Sequence, residues 1–389
     1  MTARTPDDAR RSNLASAGAR GEVVDELLRY GASLADVAGR PDAPIPRDDE
    51  PHIGSWVGYE AEARAAGALS SLQTRFVQLR CPIRAGISED ADYRAATRQG
   101  LFDRAAAFPA GPAYLQPDQM RLSIVPTMAG RVPVLTIDDR ADFERVVQAL
   151  TSRNEPSPVP PSMGACMVSG LINWDRVRRH REGWQRAHPA AGDAEWSQEF
   201  TWLAGQKPLY QDRLIILARG PYSGVDPGAD GQSPDGWLDR SLVIRREHEC
   251  AHYFTWRVFG TIRTHVFDEL LADFVGLVQA YGTYSGSLAR RCLGIEGALA
   301  PGAGRRLDNY RGQPPVSAAA FDVLEALART ATGNLERAWS SRRSAPHHPE
   351  ALARLSWALC HLTLDDLASD AFETTLAAAE ARWGDEVRP

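Results

Sequence analysis

The chain has 389 residues, 43% hydrophobic and 24% charged, enough to bury a real interior spread over two or three packed units. Its net charge of -6 gives no electrostatic footprint for nucleic acid or an anionic membrane surface, which disfavours both as partners. Cys81, Cys166, Cys250, Cys292 and Cys360 are odd in number and lack a C-x-x-C spacing, which argues against a disulfide framework and for reduced thiols.

The amino terminus carries acidic residues early and no apolar run of signal-peptide length, and no stretch approaches the roughly 20 apolar residues that span a bilayer, so the expected location is cytoplasmic. Residues 1–21 are polar and without a hydrophobic period, and are expected to be loosely ordered. From Glu22 to Val37 the apolar residues Val23, Val24, Leu27, Leu28 and Leu34 recur at helical spacing, and a Pro-rich linker follows. A second helical run covers about Tyr59 to Phe76, after which VQLRCPI reads as a short extended segment. LSIVPTM and VPVLTI flank the turn AGR, and the second leads into the amphipathic helix DDRADFERVVQAL. ACMVSGLI precedes a long Arg- and Trp-rich helical stretch whose basic residues read as a solvated face. Trp174, Trp184, Trp196, Trp202 and Trp256 are expected in the core or in cleft walls. Leu214 to Ala218 form the clearest strand, a Gly- and Asp-rich loop follows, and everything from Leu238 onward reads as helix and turn. The predicted organisation is therefore α+β: residues 1–50 a flexible terminus and helix, 51–210 an α+β domain, and 211–389 a mostly helical domain carrying the chemistry.

In the segment SLVIRREHECAHYFTWRVFG, His248, Glu249 and His252 form H-E-x-x-H, and neither Pro nor Gly interrupts Leu242 to Phe259. On a helix, residues four apart share a face, so both imidazoles can reach one ion at about 2.0 to 2.1 Å. Val243, Cys250, Phe254 and Val258 form a stripe roughly opposite, suited to burying the back of the helix. A third ligand is needed, and THVFDELLADFVGLVQA supplies Glu269 and Asp273 four apart on a second apolar helix. Two acids in that setting need a cationic partner. A metal ligand beside a carboxylate that receives the outer N–H of a ligand histidine meets the need; for Asp273, so does a buried pairing with one of the many arginines. His265 and Asp268 are weaker substitutes for the third ligand.

HECAH followed by DELLAD resembles the gluzincin group of zinc metallopeptidases, typified by thermolysin, which pairs H-E-x-x-H on one helix with E-x-x-x-D on the next. The match covers about residues 242 to 280. The resemblance implies a zincin-like core and one Zn(2+) per chain. It makes His248, His252 and Glu269 the metal ligands, Glu249 the general base, and Asp273 the group that orients His248. It also implies a strand just before the metal helix, here Leu214 to Ala218, as the cleft edge for an extended substrate, with the metal cleft between the two domains. Residues 253–268 separate His252 from Glu269, a tighter connection than in thermolysin-like enzymes. The metzincin pattern fails because Thr255 and Val258 stand where it needs a Gly and a third His.

The expected activity is metal-assisted hydrolysis of a peptide or small amide-like substrate, with Glu249 moving the proton. An oxyanion would need further donors, and Tyr222, Tyr253, Tyr281 and Tyr284 are candidates. Two other readings stand beside it: a non-peptidase metalloenzyme acting on a small molecule in a specialised biosynthetic pathway, and a metal-stabilised binding protein. An intact Glu249 argues against the last, since structural zinc sites have no use for a general base.

Overall fold

The apolar run Leu214–Ala218 has no polar face to show to water, and the fold places a neighbour on each side of it. The structure is a computed structural model that describes residues 6–38, 45, 47–109, 111, 113–226, 233–297, 304–342 and 349–386. It is α+β, mostly helical, with a four-stranded sheet of β1 (Arg121–Thr127), β2 (Gly130–Ile137), β3 (Ala165–Ile172) and β4 (Gln211–Ala218) in the order β1-β2-β4-β3. β4 pairs parallel with β2, Val134 opposite Ile215, and antiparallel with β3, Met167 opposite Ile215. A continuous apolar strand belongs in such an interior position, where both faces and both edges are covered. The expectation that β4 forms a free cleft edge is therefore corrected: its backbone groups are already paired.

Contacts divide the chain into two compact units, one of Met1–Arg47, Thr127–Ala129 and Pro221–Pro389, the other of Asp48–Pro126 and Gly130–Gly220. This departs from the expected division at two points. β4 belongs with the α+β unit. The amino-terminal helices Pro6–Ser16 and Glu22–Tyr30 belong with the carboxyl-terminal helices, so residues 6–16 form a packed helix where loose order was expected. That helix is held by Leu14, 2% exposed, and by Arg10 Nε at 3.3 Å from Asp365 Oδ1. The Tyr30 hydroxyl donates to the carbonyl of Tyr310 at 2.7 Å.

In the α+β unit, the helix Arg140–Thr151 is capped by the Asp139 side chain, which accepts from the Asp142 N–H, and it buries Phe143, Val146 and Leu150. VQLRCPI contains the 3-10 turn Val77–Arg80 in place of an extended segment, with Val77 and Leu79 buried. Trp202 departs from its expected burial at 51% exposed.

The other unit carries two helices that matter for the chemistry. The HECAH helix spans Pro234–Phe259, starting upstream of the predicted Leu242 because Ser233 Oγ caps it by accepting from the Gly236 N–H, and it ends at Gly260 with φ 70. The DELLAD helix spans Val266–Tyr281 and ends at Gly282, also with φ 70. Left-handed glycines of this kind terminate helices at no steric cost. Three residues of the expected back stripe are buried, Cys250 at 3%, Phe254 at 0% and Val258 at 4%, while the fourth, Val243, is partly buried against the same core. The helices touch at Gly276, where a Cβ would lie 2.7 Å from the carbonyl oxygen of Ile244. Among the described residues no helix is long and apolar enough to cross a membrane.

Candidate metal centre

Helical spacing places the imidazoles of His248 and His252 one above the other with their Nε2 atoms 3.0 Å apart. Glu269 enters from the DELLAD helix, its Oε2 3.4 Å from His248 Nε2 and its Oε1 3.5 Å from His252 Nε2. These three residues, each less than 9% exposed, form the cluster of ligand-bearing side chains found among the described residues.

His248 is oriented from behind. Its Nδ1 lies 2.9 Å from Asp273 Oδ1 and 2.9 Å from the Tyr222 hydroxyl, and that hydroxyl donates to Asp273 Oδ1 at 2.5 Å. A carboxylate at Nδ1 fixes the proton there and leaves the Nε2 lone pair aimed at His252 and Glu269, the tautomer a metal requires. Tyr222 thus stands on the Nδ1 side of the ring, away from the face where a substrate oxyanion would form, which corrects its expected role. It reaches this place from the turn at residues 220–224, where Ser223 adopts φ 52 and the Tyr222 N–H donates to Ser241 Oγ at 3.0 Å.

Asp273 also pairs with Arg306, so the one carboxylate contacts both His248 and a buried arginine. Arg306 Nη1 donates to Asp273 Oδ2 at 2.9 Å, and Nη2 donates to Asp273 Oδ1 at 2.9 Å and to Glu269 Oε2 at 2.8 Å. Burial raises the Asp273 carboxyl, but the Arg306 charge and the His248 hydrogen bond outweigh it and hold the group low. Burial likewise works against ionised Glu269, yet the two histidines hold it well below the usual carboxylate range. Burial disfavours protonated His248, whereas Asp273 and Glu269 favour it and push its pKa up to about 9. A cation placed at the Nε2 atoms would compete with that proton and would release it on binding.

Glu249, the proposed base, is half-buried on the same helix. Tyr281 lies three turns beyond Glu269 on the DELLAD helix, about 18 Å along the axis, and Arg240 sits 5.2 Å over its ring. Tyr284 follows that helix, 2% exposed with its ring 5.1 Å from Phe274. Tyr253 is fully buried and accepts from Arg257 Nη1 at 2.9 Å. His265 stacks on Tyr30 at 4.3 Å, and Asp268 pairs with Arg263 Nη2 at 3.2 Å, so neither substitute reaches the histidines.

Two contributors carry no local sequence signal for this site, Arg306 and Ser223, and a third, Gly276, carries a faint one. Arg306 lies on a short 3-10 turn, Arg306–Tyr310, in a polar stretch without periodicity. Gly276, alone in an apolar helical pattern, was the one readable hint of close packing.

No curated protein and no solved structure matches the chain. Residues 12–371 match the family of unknown function DUF7005, and the chain belongs to that family.

Proposed function

We propose that the chain is a zinc-dependent hydrolase of the metallopeptidase or amidase type, with His248, His252 and Glu269 as the metal ligands. One observation carries the reading. A tetrahedral site with bonds of about 2.0 to 2.1 Å has edges of about 3.3 to 3.4 Å; the two histidine Nε2 atoms are 3.0 Å apart, and each meets one oxygen of Glu269, Oε2 at 3.4 Å from His248 and Oε1 at 3.5 Å from His252, with one ligand atom of each residue within 4.8 Å of the others. Three protein ligands leave the fourth position for water, the pattern of a catalytic site. The thermolysin-like pairing of H-E-x-x-H with E-x-x-x-D supports the same conclusion.

When bound, the ion supplies a Lewis acid and a water acidified to a pKa of about 7. The protein supplies the rest. His248 is held in one tautomer by Asp273 and Tyr222. Glu249, next to His248 on the same helix, takes the proton from the attacking water and returns it to the leaving nitrogen. A peptide substrate would also need an extended strand to pair with, and the interior place of β4 removes the candidate for that role. That favours, as the second reading, a metalloenzyme acting on a small molecule.

The test is zinc content and hydrolysis measured together on the full chain. The native protein is expected to hold about one zinc, lost in His248→Ala and Glu269→Ala, while Glu249→Gln keeps the metal and loses turnover of a panel of fluorogenic peptides and simple amides. A folded native chain that takes up no zinc overturns the proposal.

A further inference from the structure

We infer that Arg306 is the positioning residue of the metal centre: a single guanidinium ties Glu269 to Asp273 and sets which oxygen Glu269 presents to the ion. The inference rests on the reading of His248, His252 and Glu269 as zinc ligands.

Glu269 and Asp273 lie one turn apart on the same buried helix face, both 7% exposed or less, where two carboxylates repel. Arg306 answers both from a separate part of the chain. Its Nη2 bridges them, 2.8 Å from Glu269 Oε2 and 2.9 Å from Asp273 Oδ1, while Nη1 takes Asp273 Oδ2 at 2.9 Å. The remaining directions of the fork are also used: Nη1 donates to Ser223 Oγ at 3.1 Å and Nε donates to the Tyr310 hydroxyl at 2.7 Å. Tyr222 and Tyr310 flank the guanidinium carbon, at 5.3 and 5.8 Å from their ring centroids. A planar cation with every nitrogen engaged cannot pivot, so the carboxylates it holds cannot pivot either.

The consequence falls on the ligand. Oε2 takes the arginine while lying 3.4 Å from His248 Nε2, so Oε1, 3.5 Å from His252 Nε2, is the oxygen on which Arg306 does not sit and the one offered to the ion. Glu269 then ligates through one oxygen, and the position that a second oxygen would fill stays open for water. Charge agrees with this arrangement: the two carboxylates outnumber the guanidinium by one, so a dication is attracted to the site and not repelled by Arg306. Ser223 supports the same purpose. A non-glycine residue at φ 52 is uncommon, and here it aims one hydroxyl at Arg306 while the neighbouring Tyr222 reaches Asp273.

The experiment compares zinc affinity of the full-length native chain, Arg306→Met and Arg306→Lys by competition with a chromophoric chelator, alongside the visible spectrum of each after cobalt substitution. Removing an outer partner of a metal ligand typically weakens binding about 10- to 100-fold, and that loss is expected for Arg306→Met. Lysine restores the charge but not the fork, so Arg306→Lys is expected between the two, with a cobalt spectrum that differs from the native one because Glu269 is free to rotate. A purely structural arginine would lower stability without that change in the ligand field. If Arg306→Met does not fold, Arg306→Lys alone decides. A variant that binds zinc within about twofold of the native chain, with the native cobalt spectrum, overturns the inference while leaving the metal site standing. A native chain that binds no zinc overturns the site itself, and the inference with it.

Discussion

Substituting Gly276 by alanine tests whether the two metal helices are held at a fixed separation. The added Cβ would lie 2.7 Å from the Ile244 carbonyl oxygen and 3.1 Å from Ile244 Cγ2, where ordinary contacts begin at 3.4 Å. The nearer atom is backbone, so no rotamer change relieves it. The helices must part by about 0.7 Å, or the HECAH helix must bend one turn before His248. Moving the DELLAD helix by that amount carries Glu269 with it and stretches its 3.4 Å and 3.5 Å separations from the histidines to as much as about 4.1 and about 4.2 Å, beyond a tetrahedral edge. Glu269 cannot swing to follow, because Arg306 holds its Oε2. Against this, alanine in a helix interior is favoured over glycine by about 1 kcal/mol, while overpacking costs about 1 to 3 kcal/mol. The expected result is a net loss of up to about 2 kcal/mol in chemical denaturation, with zinc affinity reduced about tenfold or more in chelator competition. A variant that gains the helix-propensity increment and binds zinc as the native chain does would refute the fixed separation.

Two further predictions concern other parts of the molecule. In the α+β unit, Asp212 is 2% exposed and receives Trp56 Nε1 at 2.7 Å, Asn173 Nδ2 at 2.6 Å and Arg176 Nη1 at 2.5 Å. Asp212→Ala leaves a buried guanidinium uncompensated, so urea denaturation should register a loss of about 3 to 5 kcal/mol, and a loss below about 1 kcal/mol contradicts the network. His265 has its pKa lowered from 6.5 to about 4, first by burial and then by Arg263. The unfolded chain therefore binds a proton at this position below pH 6.5 that the folded chain refuses until about pH 4, so its contribution to stability is present above pH 6.5 and is lost as pH falls through that window. His265→Phe keeps the stacking partner for Tyr30 and should flatten the decline in stability between pH 6.5 and 4 relative to the native chain. Identical slopes in the two proteins would contradict the assignment.

The parts of the site legible in sequence are those in which helix geometry turns spacing into position. His248 and His252, four apart, could only share a face, and Glu269 and Asp273 repeat the device on the next helix. The parts that were not legible depend on contacts between distant segments. Tyr222 sits in a turn that reads only as the end of a strand, and its reach to His248 follows from the left-handed Ser223 beside it, a conformation that serine does not advertise. Arg306 is one of many arginines, and only the folded chain brings it to a carboxylate pair 33 positions away in sequence. The amino-terminal helix was hidden for a different reason. A single apolar residue, Leu14, is deeply buried along it, too few for a period, and the rest of its anchoring is polar, through Arg10 to Asp365 and to the carbonyl of Gly31 at 2.8 Å. Hydrophobic patterning detects elements that pack by area and misses those that pack by ion pair. A boundary does fall close to residue 50, between Arg47 and Asp48, but the segment before it is no separate unit: it joins the carboxyl-terminal helices through Leu14, Leu27, Tyr30 and Leu34 as well as through Arg10 and Asp365. The candidate metal centre follows the same division: the side chains proposed as ligands are set by local period, and the groups that hold them in place are set by long-range electrostatics.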